Sequence, residues 1–212
     1  MEFKAVVEKR ASVRQFTSEN IKLEDLREMV RLAGLSPSVN NSQPWKFIAI
    51  TNREMLQRMA DIVHQKVAEL LPEKDEEPAK RAKQQVDFFS TFFAHAPAVF
   101  AVATCPYTAI VDEVIAGTGL THDDMNAIRG FPDIQSVGAA IQTLILAATD
   151  MGYGTCWLSG PLIARQELEE YLKLQPPWRL AAMVAVGKPA SDVTQRPKKP
   201  LEEIFEVLDS ES

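Results

Sequence analysis

Two basic clusters stand out in a chain that is acidic overall. Arg10 and Arg14 lie four apart, with Lys9 beside them and the Ser12 hydroxyl between. Guanidinium groups at that spacing offer charge-assisted, forked donors that suit a phosphate. The same spacing also describes an ordinary solvated basic face. The second cluster, Arg196-Pro197-Lys198-Lys199, lies near the C-terminus. Between them, Ser36-Pro37-Ser38-Val39-Asn40-Asn41-Ser42-Gln43-Pro44-Trp45 gathers amides and hydroxyls in a proline-bracketed loop. Those side chains suit hydrogen bonding to a flat polar heterocycle, or equally to one another in a self-satisfied turn. The run Thr155-Cys156-Trp157-Leu158 is β-branched and aromatic and leads into Ser159-Gly160-Pro161, a loop that offers backbone N–H groups. His122-Asp123-Asp124 suggests a metal at first sight, but three adjacent residues do not readily face one ion and no second cluster exists, so no metal site is expected. Phe88, Phe89, Phe92 and Phe93, with His95 beyond them, either cover a ligand or fill the core; helical spacing favours the core.

The scaffold for these groups is clearest from residue 133 to residue 160. Ile134, Val137, Ala140, Ile141, Leu144, Ile145, Ala147 and Ala148 recur at three- and four-residue steps, which predicts a helix over 134–149 buried on most faces. Asp133 is placed to cap it, and Gly152 with Gly154 to end it. Its small residues allow another helix close, as at the centre of the fold or a subunit interface. Other helices are expected from Phe3 through Val7, over 23–35, 53–71 and 79–93, from Glu167 to Leu174, and over 201–208 at the end. Pro72-Glu73-Lys74-Asp75-Glu76-Glu77-Pro78 reads as an exposed or mobile break between two of them. Strands are expected at 46–50, 98–103, 155–158 and 180–186, the second a continuous apolar run suited to the centre of a sheet. Residues 105–132 form a glycine-, threonine- and acid-rich excursion with the look of a lid. The sum is an α+β (mixed α/β) domain with its sheet sandwiched by helices.

Composition narrows the function. The chain has 212 residues, 46% hydrophobic and 25% charged, which predicts one domain with a sizeable core. A net charge of -6 argues against nucleic acid or an anionic membrane as the main partner. Cys105 and Cys156 give no disulfide framework, no apolar run reaches the roughly 18 residues of a membrane span, and nothing like a signal peptide is evident; a cytoplasmic location is expected.

Taken in order, these segments resemble one family. Arg10-Ala11-Ser12-Val13-Arg14, Ser36-Pro37-Ser38 through Trp45, Ala96-Pro97 before a strand, Gly152 to Gly160 after an alanine-rich helix, and Gly187-Lys188-Pro189 with Arg196-Pro197-Lys198 together look like the signatures of the nitroreductase family. These are flavin mononucleotide (FMN) dependent NAD(P)H oxidoreductases. The resemblance spans nearly the whole chain. It implies a single domain over 1–212 with a central, mostly antiparallel sheet, a helical segment at 53–93, the excursion at 105–132, and a domain-intertwined homodimer with FMN at the subunit interface.

By the same resemblance, Arg10, Ala11, Ser12 and Arg14, with Arg196 and Lys198, would hold the FMN phosphate and ribityl chain. Pro37, Ser38, Val39 and Asn41 would reach the ring from the second subunit, and Trp157, Leu158, Ser159 and Gly160 would lie along it. The implied reaction passes hydride from NADH or NADPH through flavin N5 to a nitroaromatic, quinone or similar acceptor by a ping-pong mechanism. No side-chain acid or nucleophile is then required, because the cofactor carries the chemistry. The absence of a G-x-G-x-x-G fingerprint fits a nicotinamide that only visits the pocket. Two alternatives stay open: a specialised member such as a reductive dehalogenase or flavin-consuming enzyme, and a non-catalytic flavin-binding module. Ala11 stands where many relatives carry a second basic residue, and no flavin contact is identifiable between residues 60 and 95.

Overall fold

The computed structural model describes residues 1–72 and 76–208. Its centre is a four-stranded antiparallel sheet of β1 (Trp45–Ile50), β2 (Ala98–Thr104), β3 (Gly154–Leu158) and β4 (Arg179–Gly187), in the order β1-β2-β4-β3. Each strand lies within a residue or so of its expected bounds, because breakers such as Pro97 and Gly187 flank apolar runs. Every residue of β2 is buried, as a central strand covered on both faces requires.

Helices cover both faces. On one lie α3 (Arg53–Leu70), α4 (Glu77–Thr91) and α8 (Arg165–Tyr171), with Leu56, Met59 and Val63 packing against Val99, Ala101 and Met183. On the other, α2 (Leu23–Ala33) and α7 (Pro132–Asp150) set Leu26, Met29, Ile141 and Leu144 against Phe100, Val102 and Val184. Side-chain alternation along β2 and β4 separates the two cores. One irregularity interrupts it. Val102 pairs with Ala182 but Ala103 pairs with Leu180, leaving Ala181 as an extra residue, and the bulge sends Leu180 and Ala182 to opposite faces.

Helix α7 extends the expected 134–149 by a turn's worth of residues at its ends. Its cap is Phe131 in left-handed backbone (φ 57°), with Pro132 at the first helical position, so Asp133 lies in the first turn and is not the cap. Proline fits there because its missing N–H would have no helical partner. At the other end Gly152 (φ 80°) donates to the Thr149 carbonyl and Tyr153 to that of Ala148, the paired closure that left-handed glycine permits.

The short α1 (Phe3–Lys9) opens the chain. The excursion at 105–132 contains two short helices, α5 (Ile110–Val114) and α6 (His122–Ile128), the second closed by a reciprocal Thr121–Asp124 capping box. The closing helix expected over 201–208 is only a 3-10 turn, Leu201–Glu203, because its apolar residues remain exposed and no packing holds a longer helix. Of the expected charged break, Glu73, Lys74 and Asp75 lie outside the described residues.

Candidate functional site

The N-terminal segment after α1 is laced to the edge strand β3. Ser12 bridges Thr155 in parallel, the Val13 N–H donates to the Thr155 carbonyl at 2.8 Å, and Thr17 donates to the Lys188 carbonyl. A glycine makes the approach possible: a Cβ on Gly154 would lie 2.5 Å from Val13 Cγ2. This lacing delivers Arg14 beside the end of β3.

There it joins a groove of about 560 Å³ formed with Gln85, Phe89 and Ser90 of α4 and with Trp157, Ser159 and Gly160. The Arg14 guanidinium lies 5.6 Å from the Phe89 ring centroid, within cation–π range. Trp157 is 44% exposed and presents a flat aromatic wall, while Leu158 turns inward to the core. Cys156 also faces inward; burial raises its thiol pKa and Arg14 only partly offsets this, so it is no thiolate nucleophile. A Cβ on Gly160 would meet Ser90 Oγ at 2.7 Å, so glycine is what lets the 3-10 turn Gly160–Ala164 press against α4.

Between residues 60 and 95, where no flavin contact is identifiable from sequence, α4 lines the groove with Gln85, Phe89 and Ser90. The four phenylalanines divide: Phe92 and Phe93 are buried and Phe88 and Phe89 exposed, and the groove is lined by one of each pair, Phe89 and Phe92. The only available signal was aromatic density, which does not reveal which pair faces outward. His95 is exposed, with its carbonyl accepting from Arg53.

The polar loop lies elsewhere. The Val39 N–H donates to Ser136 Oγ, the Gln43 N–H to Ser38 Oγ, and Ser36 Oγ pairs with Thr143 Oγ1, which ties the loop to α7. Asn40, Asn41 and Gln43 all have positive φ, with Asn40 Nδ2 donating to the Thr108 carbonyl. Pro37 and Asn41 are exposed. Trp157, by contrast, sits against Gly138. At about 100° per residue, Ser136 and Thr143 project from a different flank of α7 than Gly138. Within one chain, then, Pro37, Ser38, Val39 and Asn41 do not join the groove.

Ala11 lines a neighbouring depression of about 770 Å³ with Lys9, Tyr153 and the segment 191–194. The tail is fixed close by, Gln195 Nε2 donating to the Val7 carbonyl at 2.7 Å. Arg196 and Lys198 follow as exposed residues; neither they nor Arg10 lines either cavity.

A helix-sandwiched antiparallel sheet, with a basic segment laced to an edge strand that ends in Trp157-Leu158 just ahead of Gly160, defines a class of α+β fold with an aromatic-walled groove at that edge. The family model described as "Nitroreductase family" matches residues 7–188, and the chain belongs to that family. A BluB-like flavoprotein of Clostridium difficile 630 superposes with a TM-score of 0.87 at 33% identity, over 99% of this chain and 100% of that one. An iodotyrosine deiodinase of Nematostella vectensis is 26% identical over 96% of this chain and 74% of its own length. A 5,6-dimethylbenzimidazole synthase of Rhodospirillum rubrum is 28% identical over 89% and 82%. Among the described residues no helix is long and apolar enough to cross a membrane.

Proposed function

We propose that this chain is an FMN-dependent oxidoreductase whose reductant is NADH or NADPH and whose acceptor is a nitroaromatic, a quinone or a related small molecule. The observation that carries the reading is the lacing of residues 11–14 onto β3, which brings a guanidinium alongside Trp157, Ser159 and Gly160 in one groove. The donor set fits the cofactor in type: Arg14 in the groove suits a phosphate, Arg10 and Ser12 lie on the same segment but outside the lining of the groove, and Trp157 suits one face of a flat ring. When bound, FMN would accept reducing equivalents from the nicotinamide and pass them on to the acceptor. Arg14 would hold the phosphate side, Ser159 and Gly160 would offer backbone N–H groups to the ring edge, and Phe89 would exclude water from above.

The groove is completed, in this reading, by Pro37, Ser38, Val39 and Asn41 of a second copy in a homodimer, with Arg196 and Lys198 adding charge. Support comes from the placement of that loop away from its own groove and from the exposed apolar residues Leu35, Phe88 and Trp157. Nothing in the reading requires nucleic acid, a membrane or a metal, and a cytoplasmic enzyme of one domain follows from it.

A second reading is favoured by the relatives. Their names, a deiodinase and a synthase, speak for a specialised member, either one that removes halide reductively or one with another dedicated reaction, such as consuming flavin. Visible absorption of the purified protein, followed by anaerobic NADH or NADPH, tests the first reading. A flavin spectrum that bleaches, with turnover of a quinone, supports it. Halide release from a haloaromatic, or destruction of bound flavin in oxygen, would select the second. A protein that cannot be reconstituted with FMN would sink both.

A further inference from the structure

Three buried side-chain polar atoms in the described residues have no protein partner: Thr104 Oγ1, His122 Nε2 and Asn126 Oδ1. All three residues line one cavity of about 390 Å³, between the excursion, the start of α7 and the bulge that displaces Ala181. It shares no lining residue with the groove at Arg14. Thr104 and Asn126 are each only 8% exposed. Buried polar atoms are nearly always satisfied, so three orphans on residues that line one space point to a guest that satisfies them.

The neighbouring bonds fix what that partner must offer. Asn126 Nδ2 donates to Asp133 Oδ1 at 2.8 Å, which leaves the amide oxygen, a pure acceptor, without a partner. His122 Nδ1 lies 2.9 Å from Asp112 Oδ2, so Nδ1 carries a proton, and Nε2 on the other side of the ring has no protein partner. The Thr104 hydroxyl serves either way. Phe131, Ile134 and Leu162 supply apolar wall. Arg165 and Arg179 are balanced by Asp123 and Asp133, and the Cys105 thiol, its pKa raised by burial and by Asp133, stays uncharged. That balance selects against a strongly charged guest.

We propose that this cavity binds an uncharged aromatic molecule bearing an O–H or N–H donor, a phenol or an aryl amine, with the donor directed at Asn126 Oδ1 and Thr104 Oγ1. Binding does not rest on the flavin reading, since calorimetry reports it without turnover. Phenol and 1-naphthol would be titrated into the full-length protein against their methyl ethers, anisole and 1-methoxynaphthalene, which keep the ring and lack the donor. The expected result is at least a roughly ten-fold preference for the hydroxyl compounds, because the ethers leave buried acceptors unpaired. Thr104→Val, which keeps shape, and Asn126→Leu should each shrink that preference several-fold; Thr104→Val should do so with an unchanged melting temperature. Equal affinity for phenol and anisole, a preference untouched by Thr104→Val, or no binding at millimolar phenol would overturn the proposal and leave water as the partner of the three atoms.

Discussion

Gly154→Ala tests whether the lacing of the N-terminal segment onto β3 is as tight as the geometry says. The new methyl would sit 2.5 Å from Val13 Cγ2, 2.8 Å from Val13 Cβ and 3.0 Å from Pro189 Cγ. Carbon atoms rest at about 3.5–4.0 Å, so Val13 must retreat by about 1 Å. Val13 is 4% exposed and cannot swing into water. Overpacking of this kind costs about 1–3 kcal/mol. The retreat also strains the 2.8 Å bond from Val13 N–H to Thr155, which is worth about 1 kcal/mol more. The expected loss is therefore about 2–4 kcal/mol, read as a lower urea midpoint at constant slope. Because Arg14 follows Val13 directly, FMN titrated by fluorescence quenching should bind more weakly as well. The control is Val13→Gly, in which the same alanine meets only Pro189 and should cost less than half as much. An equal cost in both backgrounds, or a destabilisation below about 0.5 kcal/mol, would refute the reasoning.

Three further substitutions probe other parts of the molecule. Arg14→Ala should weaken FMN retention by about ten-fold or more, as loss of a charge-assisted contact does, and move the urea midpoint little; equal FMN affinity in wild type and variant would contradict its role. Ser136→Ala strips the Val39 N–H of its acceptor and should destabilise by about 1–2 kcal/mol, with protease cutting rising within 36–43; an unchanged cutting rate would show that the loop is held by other means. Tyr153 donates to Asp25 beneath the Lys188 ammonium, and its pKa is pushed up to about 12 by burial and by Asp25. A folded-state pKa above the unfolded one, about 10, means this stability is complete below pH 10 and disappears as pH rises towards 12. Tyr153→Phe should cost about 1–2 kcal/mol at pH 8 and show a shallower decline above pH 10; parallel stability curves for the two proteins would rule the linkage out.

The strands were legible because each is a short apolar run between breakers, and Ala98 to Ala103 admits no amphipathic alternative. The bulge at Ala181 was not, since nothing in Leu180-Ala181-Ala182 marks the residue that slips; pairing with β2 decides it. Helices α5 and α6 are too short for periodicity to rise above the noise of a polar segment. The basic and aromatic groups of the groove were visible as types, but Gln85, Phe89 and Ser90 enter it only through the packing of α4 on Gly160. Asp133 looked like a cap because position and residue type agreed. The left-handed turn at Phe131 moved the helix start forward by a step that local sequence does not encode.

β3 is an outer strand of the sheet, and its outward side meets Ser12 and Val13. Outer strands carry unpaired amides that recruit foreign chains, and proteins blunt them by covering the rim. Here the cover is the same stretch that carries Arg10 and Arg14. Clipping the first fifteen residues would therefore produce more than a colourless variant. It would uncover a β-branched, aromatic rim, and the shortened chain would self-associate through it. In the proposed reading one strap covers the rim of the sheet and holds the cofactor, so a variant that lacks it should lose solubility and FMN binding together.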